Sequence, residues 1–250
     1  MKLYRLLTII SLTAFGCSST MPIYESTLES KFSDNQAGMQ LDETSDLSWQ
    51  VTNDDQYLFV RLATSKRTTQ TKILRAGLKI YFDQTGQKAE TTYLNFPIFQ
   101  ERQRTSREEM GSRPGRPGQN EERRAFDLSG MIGKTPPDAL FVRGEEQMPF
   151  NYLSDQEIFK VELSADTSGV LHFYAAIPFE KINPEGLQGI SKLSLGIVSG
   201  AFEIPVNTGN GMNPPGGGMP GGNPRMAEMQ KRMAEMVEPV KIWSGLKLTK

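Results

Sequence analysis

The chain of 250 residues carries 28 Lys plus Arg against 29 Asp plus Glu, a formal net charge of -1, with one cysteine and one histidine. This balance argues against a basic nucleic-acid surface or a polybasic membrane patch, and a single cysteine excludes an internal disulfide. Hydrophobic content of 37% is low for a globular chain, but the deficit is concentrated in polar stretches between apolar ones, so one folded domain with insertions is expected.

Residues 1 to 16 hold Lys2 and Arg5, then a nearly uncharged apolar run from Leu6 to Phe15, then Gly16 directly before Cys17. That is the layout of a bacterial secretory signal, and the run is shorter than the ~20 residues a permanent membrane helix needs. The stretch "TAFGC" resembles the lipobox of bacterial lipoproteins, departing at Ala14 and Phe15, where typical boxes read Leu and a small residue. The resemblance implies cleavage before Cys17, a diacylglyceryl thioether on its sulfur and a further acyl chain such as palmitate on the new N-terminus. Two or three chains, at ~0.8 kcal/mol per buried methylene, hold a domain stably on a membrane. Cys17 is thus the expected lipid attachment residue, and thiol chemistry is not expected. Losing Lys2 and Arg5 with the signal would take the formal charge from -1 to -3. Ser18 and Ser19 follow, without the aspartate that retains enterobacterial lipoproteins at the inner membrane. A lipid-anchored place in the cell envelope is therefore expected, at the outer membrane of a Gram-negative bacterium. Residues 17 to 36 read as lipid attachment point and polar tether.

Residues 37 to 250 read as one domain in which the period is two. In "LSWQVTNDDQYLFVRLA", Leu47, Trp49 and Val51 share a face, residues 53 to 55 turn, and Leu58, Val60 and Leu62 return on one face, which is a β-hairpin. A short helix is predicted over residues 70 to 76. "GLKIYFDQTGQK" aligns Leu78, Ile80 and Phe82 before a turn. Residues 101 to 124 contain seven arginines, five glutamates and two prolines, and cannot bury enough surface to offset their ordering entropy. A disordered loop is expected there, with an arginine-rich docking loop as the other reading.

A strand is predicted over residues 139 to 143. "EIFKVELSADTSGVLHFYAAIP" sets Phe159, Val161 and Leu163 against Leu171, Phe173, Ala175 and Ile177 across a turn. Further strands are predicted over residues 192 to 199 and 240 to 248. Between them, residues 207 to 224 are Gly/Pro-rich linker, and residues 225 to 237 form a helix with Met226, Met229, Met233 and Met236 on one face. That stripe suits packing against the domain or a partner, and thioethers also suit Cu(I). The fold class is an all-β antiparallel sandwich, immunoglobulin-like or jelly-roll-like, with one or two short helices and two long polar insertions.

Trp49 before "TNDDQYLFV", then "KILRAGLKIYFDQTGQK", "HFYAAIPFEKI" and the terminal "IWSGLKL" resemble the pattern of family 9 carbohydrate-binding modules and DOMON-like domains. The resemblance spans roughly residues 40 to 97 and 155 to 248. It implies a β-sandwich that binds sugars or, in some branches, haem, and its motifs bear on fold more than ligand.

If the apolar faces point inward, the opposite faces present Tyr57, Phe59 and Arg61; Lys79, Tyr81 and Asp83; His172 and Tyr174; Lys160 and Glu162; and Lys241, Trp243 and Lys247. Rings stack on pyranose C–H groups while nearby polar groups bond the hydroxyls, so Trp243, Tyr81, Tyr174 and Tyr57 are the candidate ligand residues. Aromatic pairs also stabilise sheets with no ligand. Trp49 belongs to the core.

His172 alone is a poor basis for a zinc site, a triad or a haem site. Asp54, Asp55 and Asp83 read as turn residues before they read as Ca²⁺ ligands. No G-x-S-x-G, H-E-x-x-H or phosphate-cradling loop is present, so no catalytic residue, cofactor or metal is assigned. The expected function is a non-catalytic, membrane-anchored lipoprotein that binds carbohydrate or an envelope polymer, without nucleic acid. The alternative is an assembly lipoprotein that docks an envelope protein partner through its insertions.

Overall fold

The computed structural model describes residues 21–28, 38–99, 126–202 and 224–249, and leaves aside the side chains of 224–230. In chain order the elements are β1 (Ile23–Glu25), β2 (Thr27–Leu28), β3 (Gln40–Asp42), β4 (Leu47–Asn53), β5 (Tyr57–Thr64), α1 (Arg67–Ala76), β6 (Leu78–Asp83), β7 (Thr92–Phe96), α2 (Leu128–Ile132), β8 (Asp138–Arg143) and β9 (Glu146–Asn151). They continue with β10 (Lys160–Ala165), β11 (Leu171–Pro178), α3 (Phe179–Ile182), β12 (Leu193–Ser199), α4 (Pro224–Val237) and β13 (Lys241–Lys247).

The strands form a sandwich of two sheets. A seven-stranded sheet runs β1-β13-β12-β6-β7-β8-β9, and a six-stranded sheet runs β10-β11-β5-β4-β2, with β3 also paired to β4. The period-two pattern explains the layering, because alternate residues of a strand point to opposite faces. Leu47, Trp49, Val51, Leu58, Val60, Leu62, Phe173 and Ile177 of one sheet are buried with Leu78, Ile80, Phe82, Leu94, Phe96, Phe141 and Ile197 of the other. Toward β8 and β9 this core is aromatic, with Phe141 and Phe150 each 4.9 Å from Phe159, centroid to centroid. Each fully buried Phe or Leu contributes ~1.5–3 kcal/mol, so these inner faces fix the register of both sheets. Trp49 lies in the core as expected, packed 5.0 Å from Tyr24.

Several elements depart from the sequence-based expectation. The sandwich is mixed: β1 pairs parallel to β13 and β2 parallel to β4. These two strands belong to the stretch expected to be tether, so residues 21–28 are built into the fold. The chain crosses from one sheet to the other at Ser26, whose hydroxyl donates to Asn53 Oδ1 and whose backbone N–H donates to Lys247 O at 3.0 Å. Asn53, fully buried, donates to Thr249 O at 2.9 Å, and the Thr249 hydroxyl donates to Ser26 O at 2.6 Å. This clasp needs hydrogen-bonding side chains, which is why composition read the stretch as solvated.

Four helices are described where one or two were expected; α2 and α3 are single turns with no room for periodicity. The helix α1 starts three residues earlier than predicted, because Thr69 is buried with its hydroxyl donating to Ser45 O. It ends at Gly77, whose φ of 94° suits glycine. Strands β7 and β9 were not predicted: β7 alternates over only five residues, with polar Thr92 at one inward position, and β9 contains Pro149, tolerated because β9 is an edge. The methionine helix exists as α4. Residues 1 to 16, Cys17, the tether at 18–20 and 29–36, the insertion at 101–124 and residues 207–223 lie outside the described residues.

Candidate functional site

The four predicted ligand residues divide between two opposite outer faces. Tyr57 lies on β5 and Tyr174 on β11 of the six-stranded sheet, whereas Tyr81 lies on β6 and Trp243 on β13 of the seven-stranded sheet. The structure therefore brings them together in pairs and not as a quartet.

On the seven-stranded sheet, Gly196 of β12 stands directly opposite Trp243 on one side and Tyr81 on the other. With no side chain at Gly196, the indole lies down across the strand. A Cβ there would be 2.6 Å from Trp243 Cζ2. Trp243 reaches Tyr81 in a stacked pair at 5.7 Å and 17°, and Tyr93 tilts against the other side of Tyr81 at 5.4 Å. The Tyr81 side is closed, with the residue only 4% exposed. Burial, then the charge of Glu90 and the hydrogen bond to it, push the Tyr81 phenol up to about 12. Lys79 Nζ stands 5.2 Å above the Tyr93 ring.

On the six-stranded sheet, Phe59 is flanked by Tyr57 and Tyr174, each 6.2 Å away, at interplanar angles of 18° and 15°. All three rings are partly exposed. Register explains the grouping: Ala176 lies opposite Phe59 and Arg61 opposite Tyr174. The small side chain leaves room between rings, and the Arg61 guanidinium sits 5.3 Å over the Tyr174 ring while donating to Thr52 Oγ1 at 3.3 Å. Lys160 and Glu162, ion-paired at 3.0 Å, rim the strip on β10. Phe59 was noted on this face but left out of the candidates; its i, i+2 spacing from Tyr57 was the available signal.

No family model matches the chain, and no curated protein matches it. Among solved structures, a Bacteroides uniformis protein named "putative carbohydrate-binding protein" is similar to it at a TM-score of 0.33 and 7% identity, over 72% of this chain and 84% of that one. A likeness of that size decides neither ligand nor family.

The titratable residues singled out from sequence are engaged locally. His172 Nε2 is 3.3 Å from Asp166 Oδ2. Asp166 accepts N–H bonds from Val170 and Ser168 in its own turn; the Val170 bond acts most strongly, desolvation pushes the other way next, and His172 and Ser168 add to the lowering, so its carboxyl stays below the ordinary range. Asp83 is nearly fully buried, which pushes its carboxyl up, but bonds from Thr85, Lys88 and Ala89 together hold it below the ordinary value. Asp54 likewise accepts the Gln56 and Tyr57 N–H groups. Among the described residues no group of three or more His, Cys, Asp or Glu is placed to hold a metal.

Proposed function

We propose that this chain is a non-catalytic, lipid-anchored module of the cell envelope that binds carbohydrate, or a related envelope polymer, along the outer face of its six-stranded sheet. The observation that supports this most directly is the strip of three partly exposed, near-parallel rings, Tyr57, Phe59 and Tyr174, beside Arg61. Such rings offer C–H stacking, and the two phenols and the guanidinium offer hydrogen bonds to hydroxyls on one open face. Trp243 is a lesser contact, and Tyr81 props it up from beneath. Cys17 carries the anchor in this reading, with its lipobox-like context as support, and the outer membrane is the site of attachment.

The test is a glycan array probed with the acyl-free fragment from Ser18 onward. The pair Phe59→Ala and Tyr174→Ala should lose at least tenfold in binding with the fold retained by circular dichroism, and the pair Trp243→Ala and Tyr81→Ala should lose much less. Retained binding in the first pair refutes the strip as the site. Deleting residues 101 to 124 should leave glycan binding intact, whereas loss of an envelope partner without loss of glycan would favour the docking alternative.

A further inference from the structure

A cavity of about 420 Å³ opens between α1, the turn that joins β3 to β4, and the segment that leads from the end of α4 into β13. Among the described residues no aromatic ring lines it, and its walls are charged and hydroxylic. Lys66, Thr69 and Lys72 recur at every third position, so the start of α1 presents all three to one side. Two of the polar groups here are spent on the fold. The Thr69 hydroxyl donates to Ser45 O, and Asp42 accepts both the N–H and the hydroxyl of Ser45.

Lys72 is different, because it is a buried cation. Its side chain lines the cavity, yet the residue is only 6% exposed. Nζ donates to Glu235 O and Glu238 O at 3.0 and 2.9 Å, and among the described residues no carboxylate comes within ion-pairing distance of it. An ammonium has three N–H bonds, so one remains without a protein acceptor. The two carbonyls lie at the end of α4, where a helix offers about half an elementary charge. That holds the helix but leaves much of the lysine's charge uncompensated, and buried charges are stable when paired. Burial, then the neighbouring Lys66 ammonium, push the Lys72 pKa down, against upward pulls from Glu235 and Glu238. Lys66 lines the same cavity, with Nζ 3.2 Å from Thr44 O and 3.5 Å from Glu235 Oε2. Two ammonium groups thus face one space, and the chain itself brings no anion up to the buried one.

We propose that this cavity binds a sugar acid, with the carboxylate of a hexuronate seated between Lys72 and Lys66. The carboxylate accepts the remaining N–H of Lys72 and relieves the repulsion between the two cations. The volume lies in the range of small-molecule sites. The other walls discriminate against simpler anions. Glu235 and Glu238 repel a doubly charged phosphate, and with Thr44 and Lys241 they offer acceptors and donors side by side. Hydroxyl groups both donate and accept, so a hydroxylated ring satisfies both kinds of wall. None of these residues belongs to the aromatic strip, and the two sites stand or fall separately.

The experiment titrates the purified full chain with glucuronate, glucose and acetate by calorimetry, and follows the amide signals of Ser45, Thr69 and Val240 by NMR. Glucuronate should bind about tenfold more tightly than glucose or acetate, the worth of a charge-assisted bond to a buried group, and should shift those amides. Equal binding of glucose or of acetate overturns the sugar-acid assignment, and shifts confined to Phe59 and Tyr174 overturn the site. Lys72→Gln should abolish binding. Because that change also loosens α4, Lys66→Gln is the second variant: it keeps both carbonyl bonds of Lys72 and should weaken glucuronate about fivefold, with the fold retained by circular dichroism. Full affinity in Lys66→Gln overturns the seat between the two lysines. The pair Phe59→Ala and Tyr174→Ala should bind glucuronate as the parent does, and loss in that pair overturns the proposal. An oligouronate that displaces glucuronate marks the cavity as a site for chain ends, whereas one that leaves bound glucuronate in place marks it as a site for the monomeric acid.

Discussion

The two outer faces of the sandwich carry the same kinds of residue and put them to different use. Each has three aromatic rings and a cation above one of them: Trp243, Tyr81 and Tyr93 with Lys79 on one face, Tyr57, Phe59 and Tyr174 with Arg61 on the other. On the first, the missing side chain at Gly196 lets an indole fall onto the sheet and seal a tyrosine. On the second, Ala176 stands opposite Phe59, and the rings stay partly open. The residue opposite an aromatic thus decides whether its ring is available to a ligand or is spent on the fold.

Filling the gap is the strongest way to break that contrast. Gly196→Val places a Cβ against Trp243 Cζ2 and Cε2, and the ring has strand backbone beneath it, so it must lift away. Overpacking of this kind costs about 3 kcal/mol at the upper end of its usual range, read as a lower denaturation midpoint with red-shifted tryptophan emission. Unchanged stability would mean the indole is not seated on the strand.

Next in size is the response to alkaline pH. The Tyr81 phenol titrates at about 12 in the folded chain and near its ordinary value of 10 when unfolded. Between these values the folded state holds the proton that the unfolded state releases. Its contribution is therefore complete below pH 10 and lost as pH rises toward 12, a change of about 2.7 kcal/mol at most. Tyr81→Phe should flatten the stability profile across that window. An equally steep decline in the variant would assign the effect to another group.

Truncation on each face should then divide stability from binding. Trp243→Ala removes a ring laid against Tyr81 and should cost about 2 kcal/mol, between the values for a surface and a core aromatic. Phe59→Ala, on the open face, should cost about 1 kcal/mol while carrying the loss of glycan binding. If stability losses are equal and binding survives in both, the contrast between the faces has no functional meaning.

What the sequence reveals about this contrast follows from what periodicity encodes. Alternation identifies inward residues such as Val60 and Phe173, and hence the sandwich, because burial of one face is written at every second position. It also identifies Tyr57, Tyr81, Tyr174 and Trp243 as outward. It is silent on which sheet each strand joins, since strand order depends on pairings such as β6 with β12 that are far apart in the chain. The split of the four candidates and the part played by Gly196 therefore appear only with the registers. The clasp from Ser26 to Asn53 and Thr249 escapes for a related reason: edge segments held by side-chain hydrogen bonds have the composition of loops.

The smallest expected effect isolates charge from packing. Arg61 lies 5.3 Å over Tyr174 and Lys79 lies 5.2 Å over Tyr93, so the two cation–ring pairs match in distance although their faces differ in closure. At partly exposed sites such pairs contribute about 0.5–1 kcal/mol. Arg61→Gln and Lys79→Gln should each lower unfolding free energy by about this much in denaturant titrations, Arg61→Gln by slightly more because it also gives up the bond to Thr52. A loss at one position larger by more than about 1 kcal/mol would trace the difference between the faces to charge. Matching small losses would leave ring closure over Gly196 as its cause.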